Sequence, residues 1–115
     1  MEAKIAAQVK ELKKLPIDVI IYREDDMFTA RCLLFDLVQT ASTVEQARCD
    51  IEDVIKAYIE YAIENDNMEY LIKPSPPKFW SMFFNARLEG KPLSEDSLDG
   101  LPNDLSTMRL QTLTI

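Results

Sequence analysis

Hydrophobic residues recur along this chain with two different periods. Ile17, Val19 and Ile21 alternate within the β-branched and aromatic run 17–23, IDVIIYR, which predicts a strand. Glu24-Asp25-Asp26 follows as an acidic turn. Phe28, Ala30 and Cys32 then face one way and Thr29 and Arg31 the other, so 27–33 reads as a second strand in an antiparallel hairpin. Residues 35–40, FDLVQT, read as a third. From 43 the period becomes helical. Val44, Ala47, Ile51, Val54, Ile55, Tyr58, Ala62 and Ile63 form one stripe, and Glu45, Glu52, Asp53, Lys56 and Glu60 cover the opposite face. Thr43 with Gln46, or Ser42 with Glu45, fits a capping box, and Asn65 and Asn67 suit the far end. A helix over 43–64, roughly six turns long with one apolar stripe, is built to lie on a sheet.

The flanks are less regular. Residues 3–14 place Ile5, Val9 and Leu12 on one helical face, and Pro16 ends the segment. Residues 68–73, MEYLIK, read as a short fourth strand, broken by Pro74-Ser75-Pro76-Pro77. Phe79, Trp80, Met82, Phe83 and Leu88 then mark a second helix over 78–89, with Gly90 as its C-cap. Residues 90–104 read as a polar linker. The end, LSTMRLQTLTI, reads as a final strand that adds to this sheet or to that of another subunit. The expected fold class is α+β: an antiparallel sheet of three to four strands packed on one long helix, with an N-terminal helix and a C-terminal strand. The divisions are an N-terminal helix (1–16), a sheet-helix domain (17–73), a Pro-rich turn with an aromatic helix (74–90), and an acidic linker with the C-terminal strand (91–115).

Composition narrows the chemistry. Across 115 residues Asp and Glu number 20 and Lys and Arg 13, a net charge of −7. Phosphate backbones repel such a chain, so direct nucleic-acid binding is not expected. The basic segment 3–14 reads as a helix on the edge of the domain rather than a nucleic-acid arm. Histidine is absent, which removes the commonest general base and metal ligand. The only glycines are Gly90 and Gly100, so no glycine-rich phosphate loop exists. No run approaches the roughly 20 apolar residues that span a bilayer, and no signal peptide is expected. A cytoplasmic protein with two free thiols, Cys32 and Cys49, is the expectation.

The candidate site residues are carboxylates. Three consecutive acids in one turn do not converge on a metal, so Glu24, Asp25 and Asp26 read as a solvated turn. Asp18, Asp36 and Asp50 are the acids on separate elements that a two-metal site would need. Neither thiol has a histidine to activate it, and Cys32 belongs with the core. The aromatic cluster at 79–84 reads as a cap on the core or a subunit interface. Glu24, Asp25, Asp26, Glu45 and Glu52 supply most of the negative field, where a basic protein partner would be steered.

From Ile20 to Glu60 the chain resembles the HicB-like antitoxin family. The residues that carry the resemblance are Glu24-Asp25-Asp26, Phe28, Ala30, Asp36-Leu37, Thr43-Val44-Glu45-Gln46-Ala47, Ile51 and Ile55. The stretch CLLFDLVQTAS lacks the proline and glycine of that family's third-strand turn. The tail from Gly90 shows no helix-turn-helix or ribbon-helix-helix module. The resemblance implies a partial ribonuclease H-like domain without nuclease activity. It also implies the task of binding and neutralising a small basic toxin ribonuclease. A non-catalytic, cofactor-free, homo-oligomeric antitoxin is therefore the leading expectation. The alternatives are a stand-alone oligomeric scaffold with no toxin, and a metal-dependent ribonuclease H-like enzyme.

Overall fold

The computed structural model describes residues 3–101 and 105–115, apart from the side chain of Ile5. The elements in chain order are α1 (Ala3–Leu12), β1 (Ile17–Glu24), β2 (Met27–Cys32), β3 (Leu37–Ala41), α2 (Val44–Glu64), α3 (Pro77–Leu88), β4 (Leu93–Ser97) and β5 (Arg109–Thr114). Asp25, at φ 56, turns β1 into β2, using the tolerance of Asp for left-handed backbone. The hairpin register runs from Glu24↔Met27 to Val19↔Cys32. Asp36, at φ 54, turns the chain again ahead of β3, so the third strand begins at Leu37 rather than 35. Leu34 and Phe35, in that turn, are buried.

α2 starts and stops where side chains satisfy its ends. The Thr43 hydroxyl accepts the Gln46 amide at 3.1 Å, the first half of the capping box. The Gln46 side chain completes no box and donates to Asp50 instead. At the other end Asp66, at φ 53, lets Asn67 N–H reach Ala62 O, the pattern of a Schellman motif. Gly90, at φ 77, closes α3 in the same way, with Lys91 N–H on Ala86 O and Gly90 N–H on Arg87 O.

The sheet has five strands in the order β3-β2-β1-β5-β4. It is mixed rather than antiparallel, because β5 runs parallel to β1 from Ile17↔Leu110 to Ile21↔Thr114. The C-terminal strand thus joins its own chain's sheet. β4 pairs antiparallel with β5, from Leu93↔Leu113 to Ser97↔Arg109. It lies inside the stretch read as linker, because LSEDS has little strand propensity and borrows its ladder from β5. Residues 102–104 of that stretch lie outside the described residues. Residues 68–73 form no strand. Met68 and Leu71 are buried three apart from a 3-10 turn, Met68–Tyr70. Beyond it the chain bonds the Asp36 turn, with Lys73 N–H on Leu34 O and Ser75 N–H on Leu33 O. Prolines 74, 76 and 77 lack the amides a ladder needs.

Both sheet faces are covered. Ile17, Val19, Ile21, Ala30, Cys32 and Leu110 meet Ala47, Ile51, Ile55, Ile59 and Ala62 of α2, with Val9 and Leu12 of α1 joining that core. Ile20, Leu33 and Leu113 meet Phe83 and Ala86 of α3 on the other face. The aromatic helix therefore roofs a second, smaller core on the opposite face, rather than the main sheet–helix core that the capping reading expects. Each fully buried aliphatic here is worth about 2–5 kcal/mol if cut back to alanine. No helix among the described residues is long and apolar enough to cross a membrane.

Candidate protein-binding surface

The pairing of Phe28 with Ala41 sets the geometry of the acidic site. It brings the start of β2 beside the end of β3. The Asp25-Asp26 turn and the first turn of α2 therefore share one end of the molecule. Glu24, Asp25, Asp26 and Glu45 all stand exposed there. Glu24 Oε1 accepts the Thr29 hydroxyl at 3.1 Å, and Arg23 Nε donates to Asp25 O at 3.2 Å. These bonds stiffen the hairpin end and leave the Asp25 and Asp26 carboxylates to solvent. Glu45 sits in the first turn of α2, where the positive end of the helix dipole favours a carboxylate.

Glu52 does not join this end. It lies roughly 10 Å further along the helix, on the flank that faces β4. Arg48, one turn earlier, reaches Ser94 Oγ of β4 at 3.5 Å. Burial raises the Glu52 pKa; Lys56 opposes the rise, while Asp96, Asp53 and Asp99 add to it. Asp96 Oδ2 is buried without a hydrogen-bond partner among the described residues. Asp96 and Asp99 are members of a second acidic group that sequence reasoning missed. They sit in the stretch read as linker, and no apolar alternation in LSEDS marks them.

The acids that a two-metal site would need have separate surroundings. Asp36 Oδ1 holds Arg31 Nη1 at 2.8 Å and Ser75 Oγ at 2.7 Å. Asp18 is 8% exposed, beneath α3. Burial lifts its pKa, and the charge of Arg87 partly offsets that. Asp50 accepts from Gln46 on the outer side of α2. Among the described residues no three His, Cys, Asp or Glu side chains are grouped to hold a metal ion. Cys32 is buried, its thiol pushed up to about 12 by desolvation, and Cys49 is exposed.

The aromatic cluster is mostly structural. Phe79 stacks on Tyr22, with the Arg31 guanidinium 3.8 Å from its ring centre and the Lys78 ammonium at 4.9 Å. Trp80 Nε1 donates to Ser75 O. Phe84 and Leu88 alone of its large apolar residues stand well out of the core. A further apolar groove of about 350 Å³ runs between α1 and residues 68–72, floored by Leu12, Leu15, Met68 and Leu71.

No family model and no curated protein matches this sequence. Among solved structures, it is similar to a crystal structure of an antitoxin part of a proposed toxin/antitoxin system from Syntrophomonas wolfei subsp. wolfei. The likeness has a TM-score of 0.43 and 16% identity, over 96% of this chain and 72% of that one.

Proposed function

We propose that this chain is a non-catalytic antitoxin or regulatory protein of the HicB-like kind, which binds and neutralises a small basic toxin ribonuclease in the cytoplasm. The observation that carries the reading is the exposed acidic end, where Asp25 and Asp26 stand beside Glu45. Surface carboxylates that outnumber the nearby cation, here Arg23, raise the encounter rate with a basic partner and disfavour acidic ones. The net charge of −7 extends that field over the molecule. Steering does not supply the main affinity, which buried anchors carry. The acids of the β4 side, Asp96 and Asp99 with Glu52, widen the negative surface.

A tagged pull-down from native lysate at moderate salt, read by mass spectrometry, tests this. One small basic protein should return at near-stoichiometric yield, and its ribonuclease activity should fall as this chain is added. Recovery of the bait alone counts against the antitoxin reading.

A further inference from the structure

We propose that the free edge of β3 is a self-association site, where two copies of this chain pair antiparallel about Gln39 into one continuous sheet. The proposal does not depend on the basic partner.

An exposed strand edge is a template for another chain, and proteins blunt such edges with charge, proline, bulges or cover. This sheet has two edges, and only one carries charge. β4 carries Glu95 and Asp96 at its centre. Self-pairing about Glu95 would set that carboxylate against its own copy, which is unfavourable. β3 reads LVQTA, with no charge, no proline and no glycine. No strand lies beyond it among the described residues.

The sequence of β3 is also self-complementary. A two-fold axis at Gln39 places Val38 opposite Thr40 and Leu37 opposite Ala41. Val38 and Thr40, both β-branched, lie on one face, and both are exposed; Val38 is 39% exposed, unusually open for its type. The Gln39 amide folds back onto Val38 O at 2.9 Å, and pairing exchanges that side-chain bond for one from the partner strand.

Charge selects the antiparallel arrangement. The Ala41 end of β3 lies beside the acidic Asp25-Asp26 turn. At the Leu37 end Asp36 is already paired with Arg31, and Lys73, whose amide bonds Leu34 O at 3.0 Å, leaves that end with the excess positive charge. Antiparallel pairing sets the acidic end of each copy toward the lysine end of the other. Parallel pairing would set like ends together.

The second layer allows it. α2 packs on β3 and β2 far more than on β1. A two-fold axis perpendicular to the sheet then brings the two copies' α2 helices side by side on the same face, where helix can pack on helix.

The test is the mass of the full chain in solution by light scattering, across a concentration series. The wild type should run at twice its 13.2 kDa chain mass. Val38→Lys with Thr40→Lys should halve that mass, with far-UV circular dichroism unchanged. Glu95→Lys on the other edge should leave the dimer intact. Should the lysine pair fail to fold, Gln39→Cys in a Cys49→Ser background reads the same axis. Cross-strand Cα atoms about 4.5–5.5 Å apart suit a disulfide, so mild oxidation should cross-link it into a dimer. A wild type that stays monomeric overturns the proposal and leaves the edge to a strand from another protein. A dimer that survives the lysine pair, or no cross-link at residue 39, also overturns it.

Discussion

Ser75 and Asp36, 39 positions apart, meet hydroxyl to carboxylate at 2.7 Å. The same oxygen of Asp36 holds Arg31 at 2.8 Å. This contact ties the Pro-rich segment to the turn that launches β3, and it places α3 over the second sheet face. Ser75→Ala should cost about 1.5–3 kcal/mol in urea unfolding, the value of a hydrogen bond to a charged group. Asp36→Ala should cost more, by about 1 kcal/mol or above, because it also frees Arg31 and puts alanine at a positive φ. Equal costs would mean that the Ser75 contact is the whole effect.

The same geometry speaks to the enzyme alternative. Asp36 is occupied by a guanidinium and a hydroxyl, and Asp18 lies under α3. Magnesium or manganese at millimolar concentration should leave the melting temperature of the wild type unchanged. A rise that disappears in Asp36→Asn would revive the metal-dependent reading.

Asp18 makes stability depend on pH in an uncommon direction for a carboxylate. Its pKa in the fold lies above the ordinary 3.8, because burial outweighs the pull of Arg87. The folded state therefore favours the protonated acid. That contribution is fully present below pH 3.8 and is lost as pH rises through the folded value. Asp18→Asn should thus be more stable than wild type at pH 7, and the gap should close on acidification toward pH 3.8. Denaturant midpoints measured across that range check this; a gap that widens toward acid contradicts it.

The two thiols should separate cleanly. Cys32 is fully buried and its thiol is pushed up to about 12, whereas Cys49 is exposed on α2. A colorimetric thiol reagent should titrate one thiol per native chain at neutral pH and two after denaturation. Cys49→Ser should abolish the native reaction.

Neutralising the acidic end should change encounter rather than folding. Asp25→Asn, Asp26→Lys and Glu45→Gln are exposed substitutions, each within about 0.5 kcal/mol in stability, because Asn keeps the tolerance for the positive φ at 25. The triple variant should keep the wild-type melting temperature to within a few degrees. Its association rate with the recovered basic partner should fall by about tenfold or more at low salt, and the difference should shrink as salt rises. An unchanged rate would place the partner elsewhere.

Much of this fold is legible residue by residue. Alternation at Ile17, Val19 and Ile21 and at Phe28, Ala30 and Cys32 marks the hairpin, and the stripe from Ala47 to Ala62 marks α2. Thr43 and Gly90 punctuate helix ends through their own chemistry. The sheet's extent is not legible in this way. LSEDS becomes a strand only because β5 offers it a ladder, and MEYLIK fails to become one because its buried residues fall three apart. Glu24, Asp25, Asp26 and Glu45 converge through the Phe28–Ala41 register. Glu52 leaves them because two turns of α2 carry it about 10 Å along the helix axis from Glu45.

The sequence by itself determined the acidic balance, the missing histidine, the hairpin and the long capped helix. Each follows from composition or from neighbours a few residues apart, where period and capping act. Only the tertiary structure decided that β5 runs parallel to β1, that α3 roofs the second face over Asp18, and that β3 is left as an edge. Those outcomes depend on which distant edges and faces still need burial once the local elements exist, and no local period records that.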